Sequence, residues 1–400
     1  MKILYFNYLY DLFGISIGST IKAIELMGEL QNCGHEVKIC WRKEQSSNKN
    51  SFSSNSRALL KKHLARYLHE PNQVLSNFRN LLEENRIISN EAPDLIISRL
   101  DVCLFSGLLL AKMKRIPLLL EIDSPEVYEF STFHGEYITH QKLLKYVELL
   151  NIKYANACFT VSNDLKHYFL QQGMPEEKIH VITNGADVTR FIPRINKQKV
   201  VGKYALQNKI VVGFVGSFHY WHGVENLISL IEGTLALQPN ICFLLVGEGG
   251  PMKTKLEQFI TKKGHRDRVI LTGHIVHEEI PQYISTMDIV LAPYPKLDFF
   301  YYSPVKIYEY MACGKPVVTT RIGQIAEIIQ DGKNGFLCRP DDVKQMQAKI
   351  SELVTSPSLR ALIGEAATQT MVEHHSWREK AEQLSRLCQQ VLDNHRNGTK

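Results

Sequence analysis

Residues 303–318, SPVKIYEYMACGKPVV, carry a short apolar helix that turns through Gly-Lys-Pro into a β-branched run. Ser303 reads as an N-cap, Pro304 as the first helical residue and Gly314 as the stop, with Val317-Val318-Thr319-Thr320 as the strand that follows. A helix feeding an apolar strand is one step of a parallel α/β sheet. Lys306 and Glu309 then share one face near the start of the helix. Two readings of that pair stay open within the window. One is an exposed ion pair worth about a few tenths of a kcal/mol; the other is a pair that serves a ligand.

Outward from this stretch the same alternation covers the chain. Strands are predicted at 2–7, 36–41, 95–98, 118–122, 157–161 and 180–183, with helical periodicity between them. A turn at Asn184-Gly185-Ala186-Asp187 and a weakly patterned segment to about residue 209 separate this half from a second one. The second half reads as strand 210–215, helix 223–238, strand 241–246, helix 251–263, strand 268–272, helix 278–286, strand 288–292, the opening helix and strand 316–320. Each half has the pattern of a doubly wound sheet. Residues 44–58, EQSSNKNSFSSNSRA, read as a polar loop, and ALLKKHLARYLHE after them as an amphipathic core helix in preference to a membrane-surface one.

The 400 residues, 44% apolar, suit two or three globular domains. A net charge of +6 without a basic tail weighs against nucleic acid as a partner. The eight cysteines form no Cys-x-x-Cys pair and no zinc spacing, so they read as reduced thiols of a cytoplasmic protein, with no metal expected. MKILYFNYLYD lacks the pattern of a secretory signal, and the strongest later apolar run, 102–111, is half the length of a membrane span.

Glycines mark the carboxyl ends of successive strands, where open α/β sheets bind ligands. Gly14 and Gly18 follow the first strand, and no Gly-x-Gly-x-x-Gly spacing or strand-ending acid supports a nicotinamide dinucleotide there. VGFVGSFHYWHGVENLI (212–228) ends a strand at Gly216 and starts a helix after Gly223; LLVGEGG (244–250) repeats the device with Gly247, Gly249 and Gly250.

The ordered set of 184–187 (NGAD), 213–216 (GFVG), 246–249 (VGEG), Gly273-His274, the opening stretch, Gly323 with Glu327, and 331–336 (DGKNGF) resembles the family 4 retaining glycosyltransferases. The resemblance implies the GT-B fold, two Rossmann-like doubly wound domains facing across a cleft with a C-terminal helix crossing back to the first. That puts an acceptor domain at 1–190, a donor domain at 191–376 and the crossing helix at 377–394. It further implies a metal-independent enzyme, without a cofactor, that moves a sugar from a nucleotide-sugar donor to a hydroxyl. The acceptor would be a glycan, a lipid-linked group or a small molecule, in polysaccharide or glycoconjugate synthesis. The expected place is the cytoplasm, including a peripheral contact at the inner face of the membrane.

By the same resemblance Glu309 holds the ribose hydroxyls, and the donor site draws on Gly216, Ser217, His222, Gly247 and Lys306, with Gly14 and Gly18 as an acceptor or phosphate loop. The chain departs from the pattern at three points. Tyr301 stands where the family carries the first acid of a Glu-x7-Glu motif that Glu309 closes, and Ser217 and His222 stand where it carries Arg and Lys. Lys306 near a helix N-terminus is the replacement cation. Arg321 is a weaker candidate for the same task. In the first domain LLLEIDSPEVYEF (118–130) sets Glu121 and Asp123 at a strand end, where a carboxylate could take a proton or cap the next turn; His134 and Arg99 are further substrate candidates. The alternatives are another nucleotide-sugar enzyme of this fold, an epimerase or phosphorylase, or a catalytically silent sugar-nucleotide-binding protein.

Overall fold

The computed structural model describes residues 1–7, 17–41, 55–133 and 139–398. The backbone divides into two compact units, Met1–Thr183 joined by Lys380–Lys400, and Asn184–Glu379. The second unit opens at Asn184, so residues 184–190, read above with the first domain, fold with the second.

The first unit is a parallel sheet of β1 (Lys2–Asn7), β2 (Glu36–Trp41), β3 (Leu95–Arg99), β4 (Leu118–Ile122), β5 (Ala157–Thr160) and β6 (Ile179–Val181), in the order β2-β1-β3-β4-β5-β6. All residues of β3, β4 and β5 are buried, because helices cover both faces. The chain starts at β1, lays β2 on one side and returns to lay β3 on the other. The switch point is therefore between β1 and β3.

The second unit repeats the plan with β7 (Ile210–Val215), β8 (Ile241–Val246), β9 (Val269–Leu271), β10 (Ile289–Ala292), β11 (Val317–Thr320) and β12 (Phe336–Cys338), all parallel, in the order β12-β11-β10-β7-β8-β9. Its switch point lies between β7 and β10. Side chains beyond the carboxyl ends of those two strands are where such a sheet holds a ligand.

Several local expectations change. Ser303 does not cap its helix: the helix runs Val305–Ala312 and Pro304, extended at φ −70 and ψ 112, occupies the capping position. Because Pro304 is itself extended, the helix starts one residue later than expected and Ser303 stands one residue outside the capping position. It accepts instead from the Asn184 N–H at 3.2 Å and bonds the Tyr308 hydroxyl at 2.9 Å. Gly14 and His134 lie outside the described residues. Gly18 does not precede the first helix but sits in its first turn, since that helix runs Ile17–Asn32. Most of the polar loop, 44–54, is outside the described residues, and the helix after it runs Asn55–Glu91, through Pro71. The stretch read as weakly patterned holds a short helix, Gln198–Lys203. Among the described residues no helix is long and apolar enough to cross a membrane.

The long helix carries one buried acid into the first unit. Glu84 accepts from the Ser106 hydroxyl at 2.8 Å, and its second oxygen has no partner. Burial pushes this carboxyl up to about 8, only partly opposed by Ser106. The native state thus keeps a proton that the unfolded chain releases. The stability this gives is complete below about 4.5 and is lost as pH rises through about 8. Glu84→Gln should unfold at a higher temperature than the parent at pH 8.5 and at nearly the same temperature at pH 4.5. Thermal melts at the two pH values check this; a difference that does not grow with pH contradicts the buried neutral acid.

Candidate functional site

In the second unit the carboxyl ends of β7 and β8 meet the helix Val305–Ala312. The Gly216 N–H donates to the Val246 carbonyl at 2.9 Å, and the Tyr310 hydroxyl accepts from the Val215 N–H at 2.6 Å, which ties the end of β7 to that helix. Gly216 has φ 142, and a Cβ there would stand 2.4 Å from Lys306 Nζ. Any side chain would displace the ammonium. A Cβ on Gly223 would stand 1.7 Å from the Pro293 carbonyl, where the loop after β10 crosses the start of the helix Val224–Leu235. Gly223 offers that helix no side-chain cap, so its first-turn N–H groups are open to another acceptor. Gly247, at φ 138, packs on the Gly216 carbonyl.

Lys306 Nζ is buried and makes no hydrogen bond. It lies 4.6 Å from the centre of the Phe214 ring and 5.9 Å from that of Tyr294. Burial draws its ammonium down to about 7, with Glu309 pulling weakly the other way. His222 Nδ1 donates to the Ser217 carbonyl at 2.7 Å, and burial followed by the Lys306 charge holds this imidazole well below its ordinary value. Two basic groups therefore meet in a buried corner with no protein anion bonded to the ammonium. An anion supplied by a ligand would satisfy it.

Glu309 is not that anion. Its Oε1 takes a hydrogen bond of 2.6 Å from His277 Nε2, and both side chains are largely buried. An exposed Lys306–Glu309 ion pair is thus excluded. Tyr301, where the family carries an acid, is 1% exposed and packs its ring 4.2 Å from that of Tyr302. Arg321 pairs with Asp331 at 2.9 Å on the surface, the ordinary alternative for that residue.

In the first unit the predicted acids stand at the carboxyl end of β4, one strand beyond the switch point between β1 and β3. Lys22 Nζ, from the helix Ile17–Asn32, stands 2.6 Å from Glu121 Oε1 and also bonds Asp123. Arg99, the last residue of β3, reaches Asp123 Oδ2 at 2.5 Å, and the Tyr5 hydroxyl of β1 donates to Glu121. Burial works against the Asp123 charge, yet Arg99 and Lys22 outweigh it and hold its carboxyl below the usual range. Such a carboxylate is a poor proton acceptor. The structure brings Glu121, Asp123 and Arg99 together; Gly18, exposed, stands in the first turn of the helix Ile17–Asn32, and residues 8–16 before that helix lie outside the described residues.

Sequence reasoning missed His277, Lys22 and Tyr310. His277 sits in a polar His-Glu-Glu turn and Lys22 is the one lysine of its helix, so neither stands out from its neighbours in the sequence. Only their distant partners reveal them. Among the described residues no group of three or more His, Cys, Asp or Glu side chains is placed to hold a metal ion.

The family model for glycosyl transferases group 1 matches residues 209–356, and that for glycosyltransferase family 4 matches residues 18–190. Alpha-D-kanosaminyltransferase of Streptomyces kanamyceticus is 24% identical over 72% of this chain and 74% of its own length. The GDP-mannose-dependent alpha-(1-6)-phosphatidylinositol monomannoside mannosyltransferase of Mycolicibacterium smegmatis is 26% identical over 57% of this chain and 60% of its own length. Among solved structures, Anabaena HepE in complex with UDP is similar at a TM-score of 0.69 and 20% identity, covering 98% of this chain and 100% of that one.

The first-unit network makes a stability prediction. Lys22→Met leaves Glu121 buried without its cation, and breaking a buried pair from one side costs about 3–5 kcal/mol. Urea denaturation should show a loss of that order. A loss under about 1 kcal/mol contradicts a closed, mutually compensating network.

Proposed function

This chain belongs to glycosyltransferase family 4 and has the GT-B fold, and we propose that it transfers a sugar from a nucleotide-sugar donor held by the second unit to an acceptor hydroxyl. The observation that carries the proposal is the buried Lys306 ammonium without an anion, set against Gly216 at the β7–β10 switch point. A nucleoside diphosphate supplies that anion. Lys306 and the open N–H groups after Gly223 take the diphosphate, with Gly216, Ser217, His222 and Gly247 as the surface it approaches, and Glu309 takes the ribose hydroxyls.

In the reaction the acceptor oxygen bonds the anomeric carbon while the carbon–oxygen bond to the diphosphate breaks. Lys306 then faces the charge that develops on the departing diphosphate, the interaction that most lowers such a barrier. Retention follows if the departing phosphate oxygen takes the hydroxyl proton on the face it leaves. That route needs no carboxylate base, which fits Glu121 and Asp123 being spent on Lys22, Arg99 and Tyr5. The acceptor we propose is a glycan, a lipid-linked group or a small molecule, and no step calls for a divalent ion.

Lys306→Ala should weaken a nucleoside diphosphate far more than its nucleoside, because only the former carries the compensating charge. Glu309→Gln should weaken both alike, since both keep the diol. Each lost charge-assisted bond is worth about 1.5–3 kcal/mol, roughly ten- to hundredfold in affinity. Calorimetry with UDP, GDP, ADP and their nucleosides measures it. Parental affinity in both variants would place the donor elsewhere.

A further inference from the structure

The assignment of Glu309 to a ribose leaves its orientation to be explained. A glutamate side chain has three rotatable bonds, and holding it still costs conformational freedom that a diol contact must otherwise repay. Here the constraint comes from outside the helix. His277 opens the short turn His277–Glu279 that precedes the helix Ile280–Thr286. Its Nε2 lies 2.6 Å from Glu309 Oε1. A carboxylate oxygen only accepts, so Nε2 carries the hydrogen. The other face of the histidine is braced by Phe191, ring centres 5.5 Å apart and inclined at 43°. Among the described residues no hydrogen bond reaches Glu309 Oε2. One oxygen is thus anchored and the other offered.

We propose that His277 is a positioning residue, braced on Phe191, that anchors Oε1 of Glu309 so that Oε2 meets the vicinal diol of a ribose. The inference rests on the reading of Glu309 as the diol ligand. Its geometry is that of a supporting shell: a ligand-binding carboxylate held in one rotamer by a buried donor from another element. Lys306, one turn earlier on the same helix, makes no hydrogen bond to this pair, so the two halves of the ligand are held by separate devices.

The test pairs two ligands with two variants. His277→Phe keeps a ring against Phe191 and deletes the donor; His277→Gln deletes the ring and restores an N–H. The ligands are UDP and 2′,3′-dideoxy-UDP, with GDP and its dideoxy form in parallel, measured by calorimetry on the full chain. His277→Phe should weaken the diol-bearing nucleotide by about tenfold and leave the dideoxy form at its parental affinity, the size expected of one charge-assisted bond. His277→Gln should recover most of the loss. If His277→Phe weakens both ligands equally, or neither, or if His277→Gln is no better than His277→Phe, the positioning role is overturned. Glu309→Gln separates the premise from the proposal. A Glu309→Gln protein that binds both forms of the nucleotide like the parent overturns the diol assignment itself, whatever the histidine variants do.

Discussion

An ammonium buried without an anion is the constraint around which the second unit is arranged. Taking a charge out of water costs several kcal/mol unless the protein pairs it, and proteins normally avoid the cost by pairing or neutralising the group. Lys306 is left with aromatic faces and a glycine. The group responds by giving up its proton more readily, and its neighbour His222 does the same. Gly216 has to be a glycine because the ammonium occupies the space its side chain would fill. The Tyr310 hydroxyl holds the strand end in place beneath it. Such a corner is poorly solvated, basic and open to an anion, which is what a transferase needs where charge builds on a leaving diphosphate.

The first unit solves the same topological problem in the opposite way. Its switch point also gathers charged side chains at strand ends, yet Lys22 and Arg99 are matched by Glu121 and Asp123, and Tyr5 closes the remaining oxygen. Matched charges fix geometry and leave little to offer a ligand. The two switch points thus separate into one whose charges are matched and one that leaves a buried ammonium without a hydrogen-bond partner. Pairing decides this, because the local residue types are alike.

Much of the architecture is legible in the sequence because parallel strands buried on both faces must be apolar and glycine must stand where backbones cross. β1, β2, β4, β7 and β8 carry the residues expected of them. β12 was not read as a strand, since three residues after a glycine turn carry no periodicity. The helix Asn55–Glu91 passes Pro71, where a local rule stops it. At the site, Lys306 and Glu309 are visible from their place near a helix start, but their partners are not. His277 lies 32 residues upstream of Glu309 and Lys22 lies 101 residues upstream of Asp123, separations that no window-based pattern spans. Ser303 misled for the same reason: its Oγ answers to the Asn184 N–H, 119 residues away, and to the Tyr308 hydroxyl, and not to the N–H groups that open the helix beside it.

The state of the Lys306 ammonium is the most direct measure of the account. With lysine side chains labelled at Cε with carbon-13 and the Lys306 signal identified by its loss in Lys306→Met, the titration of this one group can be followed by NMR. The free protein should show it titrating near 7, against 10.5 for an ordinary lysine, and saturating UDP, GDP or ADP should raise the midpoint while the matching nucleoside leaves it in place. An ordinary lysine midpoint in the free protein, or a low midpoint that every nucleoside diphosphate leaves unmoved, would contradict a buried cation that waits for the donor's diphosphate.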